Sequence, residues 1–260
     1  MIEVYTNKHR TKIEELYLNQ TFQFPFIHST ICGLQNGRIW TDNLENPKSA
    51  FICHDFGWSQ LVGLDELFLN DLKNLLFVNE GFSSFKIRNF TPENSHFDIF
   101  KELSQEAQRQ QFRIKDLKTK TQIPAGYSVS PIDKTNAPLI SENLGFDLFQ
   151  RNWPSRASFN SNSFGFVIFN KTNEPVSACY SCSSNYQVQE IDILTHEEHR
   201  GKGLASIACE YFINHCKKNN LVPNWDCFTN NAGSMALAKR LGFTSHSNPY
   251  PFFTYNRQKR

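Results

Sequence analysis

Residues 188–218 read VQEIDILT, HEEHRGKG and LASIACEYFINHCKK: an apolar run, a polar stretch with two glycines, and a second apolar run. From Leu204 onward the apolar residues recur every three to four positions, which is typical of one face of an amphipathic helix. The stretch therefore predicts a strand at Val188–Thr195, a glycine-rich turn, and a helix that begins near Gly203. Such a helix start presents backbone N–H groups and a positive dipole end to an anion.

The composition of the turn favours a phosphate group as that anion. Gly201 and Gly203 allow a close approach of the backbone, and Arg200 and Lys202 add positive charge. The Walker A pattern is absent, and the third glycine of a dinucleotide-binding loop is replaced by Ser206. The turn therefore indicates a phosphate site of another type.

A second strand and helix follow at once. Asn224–Thr229 reads as a strand, Asn231 is a good N-cap for the next helix, and Gly242 is a good residue to end it. Trp225 is expected in the core, whereas Asp226 alternates with it and is a candidate for a cleft. The region thus predicts two strand–turn–helix units in succession.

These two units resemble the motifs of the GCN5-related N-acetyltransferase (GNAT) superfamily, which binds acetyl-CoA. The first is Arg200-x-x-Gly203-x-Ala205, and the second runs from Asn231 through Ser234 to Gly242-Phe243. Shorter matches resemble the zwittermicin A resistance acetyltransferase branch within that superfamily. Those matches are Glu190-Ile191, Pro223-x-Trp225-x-Cys227 and the Ser234, Ala238, Gly242-Phe243 spacing.

The resemblance implies an α/β fold, with a mixed central sheet flanked by helices and an N-terminal half that is a degenerate copy of the same fold. We expect the degenerate half at residues 1–122 and the catalytic domain at residues 123–260, joined through a polar connection. Alternating strands and helices in the first half agree with an α/β layer. Residues 95–110 predict a helix there, and residues 248–253 predict a proline-broken hairpin at a sheet edge.

The resemblance also implies where acetyl-CoA binds. The pantetheine arm would lie between Val188–Thr195 and the strand that follows, beside the backbone of Ile193–Thr195, where one N–H would stabilise the oxyanion. The pyrophosphate would bind the amides from Arg200 to Ala205. The expected acetyl-CoA residues are Ile193, Leu194, Thr195, Arg200, Gly201, Lys202, Gly203, Leu204, Ala205, Asn231 and Ser234.

Glu190 and Asp192 are the candidate general bases that deprotonate the acceptor amine. They are two residues apart in a strand and therefore point to the same face. Two carboxylates on one face repel each other, which favours a base that works near neutral pH and attracts a cationic substrate. The alternatives are that one or both pair structurally with Lys or Arg, or that a water relays the proton.

The residue that would protonate the leaving thiolate is missing from its usual place. Many GNAT enzymes have Tyr four residues after the Ala or Ser of the second motif, and here that position is Ala238. A thiolate is a tolerable leaving group without an acid, since thiols have a pKa near 8.5. Tyr250 and Tyr255 are possible substitutes, although core packing is the more common role for such residues.

Composition limits the other classes of function. The chain has 27 Lys and Arg against 25 Asp and Glu, a net charge of +2, which does not favour nucleic-acid binding through bulk charge. We find no apolar run of about 18 residues that would span a membrane and no signal peptide, so we expect a cytoplasmic protein. The seven cysteines are expected to be reduced thiols. No metal is expected, either at Cys179 and Cys182 or at the His196–His199 turn.

The predicted function is transfer of acetyl from acetyl-CoA to a primary amine of a small molecule, without an acetyl-enzyme. If the branch resemblance holds, the amine belongs to an aminopolyol-type antibiotic and the role is resistance. Two alternatives stay open. One is acetylation of a protein N-terminus or lysine, and the other is a CoA-binding protein without turnover.

Overall fold

The computed structural model describes residues 1–78, 86–91, 105–145, 147, 151–185 and 187–256. The chain forms two compact units. The first unit is Met1–Arg109 with Pro249–Arg260, and the second unit is Gln110–Asn248. This division differs from the expected boundary after residue 122, because the C-terminal strand pairs within the first unit.

Helices and strands are interspersed along the chain, which agrees with an α/β protein. The strands are β1 (Ile2–Glu3), β2 (Gly37–Thr41), β3 (Ala50–His54), β4 (Trp58–Val62), β5 (Lys86–Phe90), β6 (Gln105–Ile114), β7 (Ser128–Pro131), β8 (Gly165–Phe169), β9 (Pro175–Asn185), β10 (Val188–Thr195), β11 (Val222–Phe228), β12 (Phe243–Ser245) and β13 (Tyr250–Asn256). The helices are α1 (Asn7–Leu18), α2 (Pro25–Ile31), α3 (Glu66–Lys73), α4 (Ala137–Leu144), α5 (Arg156–Asn162), α6 (Leu204–Lys218) and α7 (Ala232–Leu241), with a π-helix at Asn74–Val78 and a 3-10 turn at Glu197–His199.

The first unit contains a mixed sheet in the order β1-β2-β3-β4-β5-β13-β6, in which the start of β6 takes part. Strands β1 to β4 are antiparallel, and β4 and β5 are parallel. One face of the sheet packs on α3, where Phe68 and Leu72 are buried together with Phe51 and Phe253.

The second unit has a mixed sheet in the order β6-β11-β10-β9-β8-β7, to which the end of β6 contributes. Strands β7 to β10 are antiparallel, and β10 and β11 are parallel. Helix α6 packs on β8, β9, β10 and β11, and its buried side chains include Leu204, Ile207 and Phe212. These residues are the apolar positions that the sequence pattern assigned to one helix face.

Two elements predicted in and around the first unit differ from the structure. Of the predicted helix at 95–110, residues 95–104 lie outside the described residues, and residues 105–110 belong to strand β6. Gln, Glu, Ala and Arg favour helix, but such propensities are small in energy, and pairing with β13 overrides them. The predicted edge hairpin is also wrong, because β13 lies between β5 and β6.

Cysteines and helix lengths bear on two further expectations. All seven cysteines are free thiols, as predicted. Among the helices of the described ranges, none is both long and apolar enough to cross a membrane.

Candidate active site

Strands β10 and β11 run parallel, but their pairing stops partway along. Within the described residues they pair at Val188–Glu190 opposite Val222–Asn224. Beyond that point β10 continues to Thr195, paired with β9 on its other side, while β11 continues to Phe228. The strands therefore separate after Glu190 and Asn224, as the family resemblance implied, and leave a backbone edge of β10 facing the gap.

Glu190 lies at the last paired position before the gap and is only 5% exposed. The side-chain amide of Asn224, its register partner on β11, donates a hydrogen bond from Nδ2 to Glu190 Oε2. Asn224 is itself fully buried, and its Oδ1 accepts a hydrogen bond from Arg113 on β6. This chain of hydrogen bonds fixes the Glu190 carboxylate at the start of the gap.

Asp192 is bound differently, through a phenol and a cation. Its Oδ2 accepts a hydrogen bond of 2.8 Å from the Tyr180 hydroxyl and lies 3.4 Å from Arg151 Nη1. Its Oδ1 accepts from the backbone N–H of Ile193 at 2.9 Å. This pairing is the structural role that the sequence left open as an alternative for one of the two carboxylates.

Both carboxylates lie on the same face of β10. Ile191 and Ile193 pack against the core formed with α6. Because successive side chains of a strand alternate, Glu190 and Asp192 lie on the opposite face. Burial raises the pKa of the Cys182 thiol, and the charges of Asp192 and Glu190 raise it further, which agrees with two carboxylates close to one side chain.

A third carboxylate and a guanidinium complete this face. Asp226 is two residues after Asn224 on β11, while Trp225 between them is buried in the core, as predicted. Burial lowers the pKa of Arg113, and the negative charges of Glu190 and Asp226 oppose that effect. The face that borders the gap thus carries Glu190, Asp192 and Asp226 together with Arg113 and Arg151.

The turn between β10 and α6 has the conformation that an anion site needs. Gly201 and Gly203 have positive φ values of +77° and +79°, and the space where a Cβ would lie is open at both. The first N–H groups of helix α6, which begins at Leu204, have no acceptor within the helix. The N-cap residue does not supply a side-chain acceptor for them either. Arg200 Nε donates to the carbonyl oxygen of Thr195, which ties the turn to the end of β10.

The corresponding turn of the first unit is built differently. It too follows the strand of a parallel pair, β4, and leads into a helix, α3. There the Asp65 side chain caps the helix by accepting a hydrogen bond of 2.8 Å from the Phe68 N–H. A Cβ on Gly63 would lie 2.1 Å from the Lys48 carbonyl oxygen. The first unit therefore carries its own carboxylate where the second unit leaves amides available.

The predicted residues of the second motif are engaged in local structure. Asn231 caps α7 by accepting a hydrogen bond from the Ser234 N–H at 3.0 Å, and Ser234 Oγ accepts one from the Trp225 indole at 3.1 Å. Ala238 is fully buried in the core, so this position directs no side chain to the gap. Asn231 and Ser234 therefore fix where α7 begins.

The two tyrosines considered as acids both pack in the first unit. Tyr250 is 2% exposed and contacts the rings of Phe22 and Phe24. Tyr255 contacts Phe77 edge to face. Both have the packing role that the sequence favoured.

The sequence reasoning missed four residues that hold the carboxylates: Asn224, Arg113, Arg151 and Tyr180. A polar residue two positions before Asp226, on a strand whose Trp225 faces the core, was a readable signal for Asn224. No such signal marked Arg113, because it lies just beyond the segment whose sequence predicts a helix. Tyr180 is in β9, and Arg151 is in the stretch before α5. Their spacing in the sequence does not indicate that either residue contacts β10.

The His196–His199 turn brings ligand-type atoms together. Those of His196, Glu198 and His199 lie within 4.8 Å of one another. The Tyr127 hydroxyl lies 3.0 Å from His199 Nδ1. The expectation of a solvated turn without metal stays a prediction.

Comparisons with known proteins agree with an acyl-CoA-dependent transferase fold. The pattern of the family described as GNAT acetyltransferase matches residues 16–253. A Bacillus subtilis (strain 168) protein named "Uncharacterized N-acetyltransferase YdfB" is 30% identical over 227 residues, which cover 84% of this chain and 85% of that protein. The chain belongs to the GNAT acetyltransferase family.

Solved structures show the same fold. A GCN5-related N-acetyltransferase-like protein from Streptococcus suis 89/1591 has a TM-score of 0.70 at 20% identity, covering 95% of this chain and 98% of that one. A tandem GNAT protein from the clavulanic acid biosynthesis pathway has a TM-score of 0.65 at 11% identity, covering 100% and 98%. The predicted fold class, a mixed sheet flanked by helices in a GNAT fold, is confirmed.

Family membership makes the chain an acyltransferase enzyme, and GNAT acetyltransferases use acetyl-CoA. Two features of the second unit fit this co-substrate. The open glycine turn at Gly201 and Gly203 leaves room for the pyrophosphate near helix N–H groups. The edge of β10 beyond Glu190 offers backbone groups that β11 does not use.

Proposed function

We propose that the second unit transfers acetyl from acetyl-CoA to a primary amine of a small molecule, with Glu190 as the general base. One observation carries this proposal: Glu190 is buried and held by Asn224 at the point where β10 and β11 separate. A base must lie within reach of the proton that it removes, and the gap is where the family resemblance places the reacting thioester.

Contacts of the two carboxylates favour Glu190 over Asp192 as the base. Both carboxylate oxygens of Asp192 are engaged, Oδ2 by Arg151 and Tyr180 and Oδ1 by the backbone N–H of Ile193. Glu190 lies at the last paired position, where the gap begins, and Asn224 orients its carboxylate. We assign Asp192 to positioning and to the attraction of a cationic acceptor.

The amine attacks the thioester carbonyl directly, and the CoA thiolate leaves as the amide bond forms. An acetyl-enzyme would need a nucleophile on the carboxylate face, where Cys182 lies. Burial and the nearby carboxylates raise the pKa of Cys182, so it is protonated and a poor nucleophile. Cys227 on β11 is buried in the core cluster on the other face. These features support the expected absence of an acetyl-enzyme.

Acetyl-CoA supplies the activated acetyl group, and chain segments at the two ends of the gap hold it. The backbone of Ile193, Leu194 and Thr195 would bind the pantetheine arm along the open edge of β10. The turn from Arg200 to Ala205, including Gly201, Lys202, Gly203 and Leu204, would bind the pyrophosphate. Asn231 and Ser234 contribute by fixing the start of α7.

The proposal includes a degenerate first unit. Both units have a run of antiparallel strands followed by a parallel pair with a helix after its first strand. In the first unit Asp65 caps that helix and Gly63 is crowded, so an anion would meet a carboxylate and a closed turn. This contrast supports acetyl-CoA binding by the second unit alone.

We further propose an aminopolyol-type antibiotic as the acceptor, and resistance as the role. The three carboxylates on this face outnumber the two guanidiniums, which favours a cationic amine. The short motifs around Glu190 and Trp225 that resemble the zwittermicin A resistance branch favour this acceptor class. Seven free thiols favour a cytoplasmic location, where thiols stay reduced.

The test is thiol release from acetyl-CoA with a panel of acceptors: aminopolyols, simple primary amines, and peptides with a free N-terminus or lysine. We expect turnover with an aminopolyol amine, and a loss of about 10²–10⁴-fold in kcat for Glu190→Gln. Asp192→Asn is the matched control and should lose less. Turnover with peptides alone would overturn the acceptor class, and full activity of Glu190→Gln would overturn the base.

A further inference from the structure

Three side chains of metal-ligating types converge in the first unit. Glu14 comes from α1, His28 from α2, and Cys32 caps the C-terminal end of α2. Their ligand atoms lie within 4.8 Å of one another. Glu14 Oε1 lies 2.7 Å from His28 Nε2 and 3.4 Å from Cys32 Sγ.

The two helices hold these side chains in place. His28 and Cys32 are four residues apart, so they project from one face of α2. Helix α1 packs beside α2, with Tyr17 fully buried and its ring 6.0 Å from that of His28. The His28 side chain is 8% exposed and that of Glu14 is 31% exposed. The cluster is therefore partly shielded, and solvent reaches it at Glu14 and at Cys32.

The chemistry of the three atoms matches zinc. Zn²⁺ binds Cys sulfur at about 2.3 Å and His nitrogen or carboxylate oxygen at about 2.0–2.2 Å, which places tetrahedral ligands about 3.3–3.8 Å apart. The Glu14 to Cys32 distance already lies in this range, and the hydrogen-bonded Glu14 to His28 distance needs to open by about 0.6 Å. Three protein ligands leave a fourth position for water.

We propose that Glu14, His28 and Cys32 bind a Zn²⁺ ion. The ion replaces the thiol proton of Cys32, which passes to solvent, and neutral His28 supplies a nitrogen lone pair. The thiolate and the Glu14 carboxylate together balance the charge of the ion. This proposal departs from the expectation of a metal-free protein, because Glu14 comes from a separate helix and no ligand spacing in the sequence marks the cluster.

Arg10 supports this arrangement from the preceding turn of α1. Its guanidinium donates hydrogen bonds to the carbonyl oxygens of Thr30 and Ile31. Arg10 thus fixes the end of α2 that carries Cys32.

The test uses Co²⁺ as a spectroscopic substitute for Zn²⁺ on the full chain after treatment with a chelator. We expect a near-ultraviolet thiolate-to-cobalt charge-transfer band that saturates at one equivalent and disappears on addition of Zn²⁺. Cys32→Ser should abolish the band, and Glu14→Gln should weaken Co²⁺ binding more than tenfold. Cys53→Ser, which removes a different thiol from the same unit, should leave the band unchanged.

Circular dichroism shows whether each variant is folded, and His28→Gln replaces Cys32→Ser if that variant is not. The proposal is overturned if no thiolate band forms, if the band survives in Cys32→Ser, or if it is lost in His199→Gln instead. In that case the cluster is a hydrogen-bonded brace between α1 and α2. Glu190→Gln should bind Co²⁺ like the wild type, so this result is separate from the test of acetyl transfer.

Discussion

Asn224 donates a hydrogen bond to Glu190 across the last paired position of β10 and β11. The same amide accepts a hydrogen bond from Arg113, so one neutral side chain links a buried carboxylate to a half-buried guanidinium. The amide therefore keeps the carboxylate oriented at the point where the two strands separate.

Asn224→Asp should move the acid limb of the pH–rate profile to higher pH. The new carboxylate would lie against Glu190, and two neighbouring carboxylates hold a shared proton more tightly. The measurement is kcat/KM for acetyl transfer between pH 5 and 9. Asn214→Asp adds the same charge on the exposed face of α6 and should leave the profile unchanged. Identical profiles for both variants would show that the Asn224 contact does not tune the base.

Gly203→Glu should abolish acetyl-CoA binding by placing a carboxylate in the glycine turn. The ligand at about 100 times Kd should stabilise the wild type by roughly 2.7 kcal/mol and raise Tm by several degrees. Gly145→Glu is the matched control, since Gly145 also has a positive φ, +71°, and open space at its Cβ position. Its ligand-induced shift should equal that of the wild type. If acetyl-CoA raises the Tm of Gly203→Glu as much as that of the wild type, the turn is not part of the binding site.

Gly242→Ala should destabilise the second unit. Gly242 has a φ of +106°, and a Cβ there would lie 2.5 Å from the Asp116 carbonyl oxygen. The left-handed conformation alone costs about 1–2 kcal/mol, and the clash adds to it. Gly233 lies at the other end of α7, and a Cβ there would have only Asn231 Oδ1 within 4 Å, at 3.7 Å. Gly233→Ala should therefore be neutral or slightly stabilising. Thermal unfolding of both variants checks the contrast, and equal Tm values would contradict it.

Glu3→Gln should lower stability at neutral pH but not in acid. The Arg38 guanidinium donates two hydrogen bonds of 2.7 Å to the Glu3 carboxylate and lowers its pKa below the ordinary value of 4.5. A carboxyl with a depressed pKa stabilises the fold above its unfolded pKa, and this stabilisation is lost as pH falls through the folded pKa. The difference from wild type, about 1 kcal/mol at most, should therefore shrink below pH 4.5. If chemical denaturation still shows the difference in stability at pH 2, the difference comes from packing and not from the charge of Glu3.

Periodicity and motifs predicted the second unit more completely than the first. The bounds of β10 agree with the sequence, and α6 begins and ends where Gly203 and the Lys217-Lys218 pair predict. Apolar alternation and helix caps are local signals, so they can be read without knowledge of the fold. The separation of β10 and β11 was predicted only from the resemblance.

Contacts between distant segments could not be predicted from the sequence. Arg113 meets Asn224, and Tyr180 meets Asp192, through strand order and register, which no local pattern encodes. Strand β6 was missed because its Gln- and Arg-rich residues favour helix until neighbouring strands pair with them. Residues 75–77 form an apolar run of the kind found in buried strands, and they are part of a π-helix. Short apolar runs are ambiguous for this reason.

Strand β13 inverts the order of folding relative to the order of synthesis. It lies between β5 and the start of β6, so the first unit lacks a strand until residues 250–256 have been translated. The second unit, by contrast, is complete once residue 248 has left the ribosome. Until then the nascent N-terminal segment carries unpaired strand edges, which are templates for aggregation. The half that is made first is therefore the half that matures last, and it depends on β13 to bury those edges.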